Sequence, residues 1–413
     1  MFKNKLVRGS LLVLGGNLLS GIFNYLYHPL VGRFLDPASY GLIESLVVLS
    51  YFLGIFSGAL SLSIVHFAAK INEVFLPGLI SRLEKISAAF SVITWLLFLL
   101  TFPVLNNFLH IGNFWFYFIF SLPILFSFLH TVYSSLLQAR LKLLALVATG
   151  FSSSLGKFLG AAVCLLIGAK IAGALWALVA ASVIPTVFGW YLVRKYWPKN
   201  KAKTFPNLDK NFWRFSFLSL VTNFSLISLY SSDVLLVRYF LPEQSGLYAV
   251  ASILGKIIFF VAGSVLTVSF PLFNYKNNNY QSLWWSFLLI TMISLFGFLG
   301  ASFWAGTIVK ITYGSTYLAA ANFLPGFTIF MTLLAIFNLF IQFLLSKQNY
   351  FAGVIPLIIA FTQIFLIIFN HNSLGVIIRS SSLVVTLGIF FSLLCFYPSS
   401  FPLGVRKKLL PGI

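Results

Sequence analysis

The sequence predicts an all-α polytopic membrane protein, with about 12 transmembrane helices in two pseudo-symmetric six-helix lobes and both termini cytoplasmic. Three observations carry this. Of 413 residues, 60% are hydrophobic and only 8% charged, against roughly a quarter charged in soluble domains. Apolar runs of the length needed to cross a bilayer core, roughly 20 residues, fill most of the chain. The Lys and Arg residues gather in alternate loops between those runs. Too little sequence remains for a sizeable soluble domain.

Taken in order, the first lobe places helices at 9–30, 40–67, 86–105, 114–137, 143–168 and 171–193. Helix 1 carries Asn17, Ser20, Asn24 and His28, helix 2 carries Glu44, and helix 5 carries Lys157 between Gly156 and Gly160. Pro123 and Pro185 fall inside helices 4 and 6 and should kink them. The second lobe places helices at 215–237, 246–270, 283–304, 321–345, 351–369 and 374–397. Helix 7 carries Ser219, Asn223, Tyr230 and Asp233, helix 8 carries Lys256, and helix 12 carries Arg379. Pro325 and Pro356 are expected inside helices 10 and 11. The N-terminal stretch resembles a signal peptide in its basic start and apolar run. Asn17, Asn24 and His28 within that run argue for an uncleaved first helix.

Orientation follows from the basic residues. With the N-terminus inside, 20 of the 27 Lys and Arg fall on cytoplasmic segments, four on the opposite side and three within helices. That bias sets both ends inside and supports an even number of helices. Seven of the 20 lie in the 194–214 stretch, which divides residues 1–193 (the N-terminal lobe) from 215–397 (the C-terminal lobe). Residues 398–413 form a basic cytoplasmic tail. The net charge of +20 would suggest nucleic acid in a soluble chain. Here it reads as a topology signal and a contact with anionic membrane lipids, with no nucleic-acid partner. Cys164 and Cys395 fall inside helices and offer neither a disulfide framework nor metal spacing.

A repeat explains the division. Arg33-Phe-Leu-Asp-Pro37-Ala-Ser-Tyr-Gly41-Leu42 recurs as Arg238-Tyr-Phe-Leu-Pro242-Glu-Gln-Ser-Gly246-Leu247, at a constant offset of 205 residues. Leu122-Pro123 and Leu324-Pro325 are a second echo. Two parallel six-helix blocks place a substrate path between lobes near the membrane midplane, which is a transporter architecture.

These residues resemble the opening of polysaccharide-biosynthesis flippases of the multidrug/oligosaccharidyl-lipid/polysaccharide exporter superfamily. The first repeat motif between helices 1 and 2 carries the resemblance, and Ile308-Val-Lys-Ile-Thr-Tyr313-Gly314-Ser-Thr-Tyr317 before helix 10 is similar to a stretch of the same proteins. The six-plus-six layout extends it over the whole chain. The resemblance implies translocation of an undecaprenyl-diphosphate-linked oligosaccharide across a bacterial inner membrane, for surface polysaccharide such as O-antigen, by alternating access. It implies that glycan lipid as substrate partner, and leaves a polysaccharide polymerase as a further partner. The chain has no counterpart of the two extra helices that form a lipid-tail groove in related lipid II flippases.

A flippase breaks no covalent bond, so its informative residues are charges within helices, each costing about 2.5–3.5 kcal/mol at the bilayer centre. Lys256 near the midplane is read as a cavity cation for the substrate's phosphates, with a structural ion pair as the alternative. Lys157 divides between that role and a bystander of Gly-x-x-x-Gly close packing. Arg379, nearer the outer side, divides between substrate contact and snorkelling to the headgroups. Glu44 and Asp233 are candidates for ion coupling, or for neutralising a nearby lysine. Asn17, Asn24 and Asn223 lie on polar stripes of the first helix of each lobe, which suit either hydrogen bonds to sugar hydroxyls or interhelical bonds. The scattered histidines show no ligand spacing. No Gly-Lys-Ser/Thr phosphate loop occurs, so neither ATP hydrolysis nor any cofactor is expected.

Two other readings share the composition. An ion-coupled exporter of small amphipathic compounds would want an acidic cavity, whereas the helices hold three cations against two carboxylates. A membrane glycan-polymerising enzyme would want catalytic acids in sizeable loops, and the outer loops are short, with only Asp36 and Glu243 acidic. A non-transporting scaffold would leave the internal charges unexplained.

Overall fold

The computed structural model describes residues 2–68, 71–197, 210–273, 279–346, 349 and 351–395. These are helical nearly throughout, with no β-strand among the described residues. Hydrocarbon offers backbone groups no hydrogen bonds, so a spanning chain has to satisfy its own. Among the described residues, ten helical segments are long and apolar enough to cross a membrane. The two expected spans outside that count are the first helix of each half, where several side chains lie outside the described residues. Large apolar side chains remain bare along many helices, such as Leu100 and Leu166 at 76% and Phe296 at 73% exposure. They are the surface that lipid tails would cover.

Two compact units make up the chain. Unit 1 spans Met1–Phe224 together with Leu241–Gly246. Its helices are α1 (Phe2–Phe34), α2 (Pro37–Ala68), α3 (Leu76–Leu100), α4 (Phe102–Leu109), α5 (Phe114–Ser121), α6 (Pro123–Ala139), α7 (Leu143–Leu166) and α8 (Lys170–Tyr196). The first part of α9 (Lys210–Phe240) belongs here as well, where the Phe224 ring meets Phe52 with centroids 6.0 Å apart. Grouped by packing, the units divide within α9; of the basic 194–214 stretch, residues 198–209 lie outside the described ones. In this unit α7 packs against both α1 and α8, while α6 packs against α2, α3 and α8.

Unit 2 spans Ser225–Phe240 and Leu247–Ile413. It holds the rest of α9, then α10 (Ser245–Leu272), α11 (Asn279–Phe303), α12 (Ala305–Thr312), α13 (Leu324–Ser346), α14 (Phe351–Phe369) and α15 (Leu374–Leu394). Here α13 packs against α11 and α15, and α14 against α15. A core of Leu266, Phe273, Ile290, Leu339 and Phe343 joins α10, α11 and α13.

Two expectations about proline change. The 86–105 helix is two elements: α3 begins earlier and stops at Leu100, and α4 follows. Pro103 has no N–H for the carbonyl of Leu99, so the ladder cannot run on. The turn is held instead by the Thr101 hydroxyl and the Tyr117 hydroxyl, each donating to Phe98 O at 2.7 Å. Unit 2 likewise follows a long helix with a short one, α11 with α12, but at Trp304 and without a proline. Neither Pro123 nor Pro325 kinks a helix interior. Pro123 starts α6 after a break, and Pro325 sits in the first turn of α13 after the 3₁₀ stretch Ser315–Phe323. Proline fits a first turn because the N–H it lacks has no partner there. Pro185 and Pro356 do lie inside α8 and α14, and Pro29 inside α1.

The first repeat motif turns the chain from α1 to α2. Asp36 accepts the backbone N–H of Ser39 at 3.1 Å, capping α2. Burial opposes the charge on Asp36, but hydrogen bonds from Ser39 outweigh it and hold the carboxyl below its usual range. The segment Leu241–Gly246, part of the second repeat motif, counts with unit 1 because it packs on α2. Gly41 and Gly246, equivalent in the repeat, make that contact. A β-carbon on Gly41 would lie 2.1 Å from Ser245 Oγ and 2.6 Å from the nitrogen of Gly246.

Candidate functional site

The site in unit 1 starts from two local defects in regular packing. Glycines 156 and 160 bring α7 onto α8: a β-carbon at Gly156 would fall 2.7 Å from Ile184 Cδ1, and one at Gly160 3.4 Å from Ala177 Cα. The Gly-x-x-x-Gly face is thus spent on α8, and Lys157 beside it turns toward α1. On α8, Pro185 cannot donate to the carbonyl of Ala181. Ser153 of α7 takes that carbonyl through its hydroxyl at 2.6 Å. Close packing at one level and an opened helix ladder at the next leave a cavity of about 240 Å³.

Its polar lining is Asn24, Ser50, Tyr51, Ser127, Ser182 and Lys157, with Ser153 and apolar Val47, Phe120 and Ile124. Lys157 is 8% exposed. Its ammonium donates to Asn24 Oδ1 at 3.3 Å and stands 4.1 Å from the centre of the Tyr27 ring, within range of a cation–π attraction. Tyr27 is fixed by donating its hydroxyl to the carbonyl of Ala174 on α8 at 3.2 Å. His28 packs edge-on against the Tyr27 ring and places Nδ1 3.0 Å from Glu44 Oε2. Glu44, 2% exposed, is also the charge partner of Lys157. One cation thus faces a cavity rich in hydroxyls, with its carboxylate behind it.

Unit 2 has a second buried charge cluster. Asp233 on α9 has no exposed surface; it accepts the Tyr248 hydroxyl at 2.8 Å and the backbone N–H of Val234 at 2.9 Å. Lys256 on α10, 5% exposed, is its charge partner and stands 6.0 Å from the Tyr230 ring centre. Both the cavity and the ion-pair readings of Lys256 place it near the carboxylate of Asp233, within electrostatic reach. A buried carboxylate that accepts a hydroxyl and an amide has part of its acceptor capacity spent.

The sequence-expected residues thus divide. Lys157 and Asn24 meet in the cavity, Glu44 stands behind it, and Lys256 joins Asp233 in the other unit. Arg379 is exposed on α15. The side chains of Asn17 and Asn223 lie outside the described residues. Sequence reasoning missed Tyr27, Tyr248 and the serines of α2, α6, α7 and α8. Tyrosine and serine are common in membrane helices and carry no charge to flag them. Only Pro185, which announces a carbonyl needing a donor, pointed toward Ser153.

The family model described as "Polysaccharide biosynthesis protein" matches residues 6–276. Among solved structures, the inward closed conformation of the lipid II flippase MurJ superposes with a TM-score of 0.74 at 16% identity, covering 95% of this chain and 88% of that one. An inward-facing multidrug-resistance MATE transporter of the MOP superfamily gives 0.68 at 13% identity, covering 91% and 94%. A MOP-superfamily transporter from Pyrococcus furiosus, described as having a binding pocket of reversed polarity, gives 0.57 at 11% identity, covering 96% of both chains. At these identities the likeness establishes a shared fold. No curated protein sequence matches the chain.

Proposed function

The chain belongs to the polysaccharide biosynthesis protein family, and from that premise we propose that it is a flippase. It moves an undecaprenyl-diphosphate-linked oligosaccharide from the inner to the outer leaflet of the bacterial inner membrane by alternating access. The observation that carries this reading is Lys157, a buried ammonium presented to a cavity whose polar lining is hydroxyls and an amide, set among apolar side chains. A diphosphate wants a cation and a sugar wants hydroxyl and amide partners, while the lipid tail can stay in hydrocarbon. The family and the MurJ-like and MATE-like fold support a membrane carrier of lipid-linked or amphipathic cargo. We assign the chain no catalytic reaction. Both termini are placed in the cytoplasm on the strength of the basic loops. A polysaccharide polymerase on the outer face is the partner that would consume the product.

Within this reading Lys157 and Asn24 meet the substrate head, with Asn17 and Asn223 as further contacts. Lys256 and Asp233 hold unit 2 together. The test is a deletion strain complemented with wild type or Lys157→Ala, scored for surface glycan and for membrane content of the protein. The proposal expects wild type to restore glycan and Lys157→Ala to fail at equal protein level. Full restoration by Lys157→Ala removes the cavity assignment.

A further inference from the structure

A second cavity of unit 1, about 400 Å³, lies at the end of the bundle where α1 finishes and α8 begins. Its size is that of a small-ligand site, ~300–1,000 Å³. Asp36 and Ser39 from the turn into α2, Phe116 from α5 and Lys170 from the turn into α8 stand in its wall, beside Phe34 and Leu35. Two of these carry charge, of opposite sign. Asp36 accepts the N–H of Ser39 through Oδ2, and Lys170 is the first residue of α8. The ion pairs among the described residues are His28–Glu44 and Glu84–Arg194, so the two charges of this wall are not spent on each other.

Local folding asks for neither charge. In the second repeat motif Leu241 takes the place of Asp36, and the 3₁₀ turn Pro242–Gln244 follows it with no side-chain cap. Lys170 is held at φ 42°, left-handed backbone that asparagine adopts more readily than lysine. A ligand that carries one cation and one anion answers both residues, through a charge-assisted hydrogen bond at each end.

The surroundings indicate where such a ligand comes from. Leu166 and Ile167, just before the α7–α8 turn, are 76% exposed, and Phe34 is 46% exposed. The cavity therefore sits where bare apolar helix surface gives way to polar helix ends, which is the level of lipid headgroups. A phospholipid can reach the wall with its charges while its chains lie on that surface. The net charge of +20 draws anionic lipid to the basic loops, but Asp36 repels a headgroup that is only negative.

We propose that this cavity binds one phosphatidylethanolamine, its phosphate met by Lys170 and its primary ammonium donating to Asp36. The site shares no lining residue with the Lys157 cavity, and its assignment is independent of what that cavity carries.

The test adds lipid to delipidated full-length protein in detergent and counts the molecules retained by native mass spectrometry. Phosphatidylcholine with the same acyl chains is the comparison, since it has the same net charge but no N–H to donate. The wild type should retain one more phosphatidylethanolamine than phosphatidylcholine. Asp36→Asn, which keeps a helix-capping side chain, and Lys170→Asn, which suits the left-handed backbone, should each retain one phosphatidylethanolamine fewer than the wild type. Lys310→Asn, which removes an exposed charge from unit 2, should retain as many. Equal retention of the two lipids by the wild type overturns the proposal. So does undiminished retention in Asp36→Asn or Lys170→Asn, or an equal loss in Lys310→Asn. Displacement of the lipid by an equimolar amount of free phosphoethanolamine would make the occupant a soluble zwitterion and overturn the lipid assignment. The wild-type comparison needs no variant, so one that folds poorly leaves the test decisive.

Discussion

A β-carbon placed on Gly246 would lie 1.9 Å from the carbonyl oxygen of Pro37. The second repeat motif thus rests on the first through bare backbone, at the point where their glycines are equivalent. Two helix starts meet with no room for a methyl group on either side. Gly246→Ala and Gly41→Ala should each destabilise the protein by about 1–3 kcal/mol, the usual range for overpacking. Gly21→Ala, at a position with nothing within 4 Å of the added carbon, should not. Thermal unfolding of detergent-solubilised protein followed by gel filtration measures this, and an unshifted Gly246→Ala would show that the backbone contact is not formed.

The Asp233–Lys256 pair makes a double-mutant prediction. Removing either charge alone leaves the other buried and uncompensated, at roughly 3–5 kcal/mol. Asp233→Asn and Lys256→Met singly should lower thermal stability markedly, and the double variant should recover most of it. Singles and a double that simply add would mean that the two side chains do not interact.

Ser153 and Pro185 make a second cycle. Ser153→Ala leaves the carbonyl of Ala181 without its donor, which costs about 1–3 kcal/mol for a buried group. Pro185→Ala in that background restores a backbone N–H at the position able to reach the same carbonyl. The pair should therefore be less damaging than the sum of its singles in unfolding experiments, and strict additivity would remove the carbonyl-capture account.

The orientation is tested by a single cysteine at position 203 in the basic stretch, in a variant with Cys164 and Cys395 replaced. An impermeant thiol reagent should label it in inverted vesicles and leave it unlabelled in intact cells. Labelling in intact cells would reverse the topology.

Much of the fold was legible from simple patterns. Long apolar runs and alternating basic loops mark the helices, and the motif shared by Arg33–Leu42 and Arg238–Leu247 marks the two halves. The breaks at Thr101 and Leu122 were not legible. A run of apolar residues reads as one helix, and whether a proline kinks a helix or starts one depends on which carbonyls find other donors. The candidate site was half legible. Lys157, Glu44 and Asn24 stand out because charge and amide are costly in hydrocarbon. That Lys157 faces Tyr27 and not α8 follows from where Gly156 and Gly160 pack, which spacing alone leaves open. Lys256 stands out for the same reason, but its neighbours, the Tyr230 ring 6.0 Å away and Asp233 within electrostatic reach, could not be read from spacing.

The central claim is that this chain carries diphosphate-linked glycan across the bilayer. The most direct test reconstitutes the purified protein into liposomes loaded with a fluorescent undecaprenyl-diphosphate oligosaccharide and follows quenching by an impermeant reductant. The account predicts that wild-type protein exposes glycan from the inner leaflet well above the rate of empty liposomes, and that Lys157→Ala falls to that background. Wild-type vesicles indistinguishable from empty ones would contradict it.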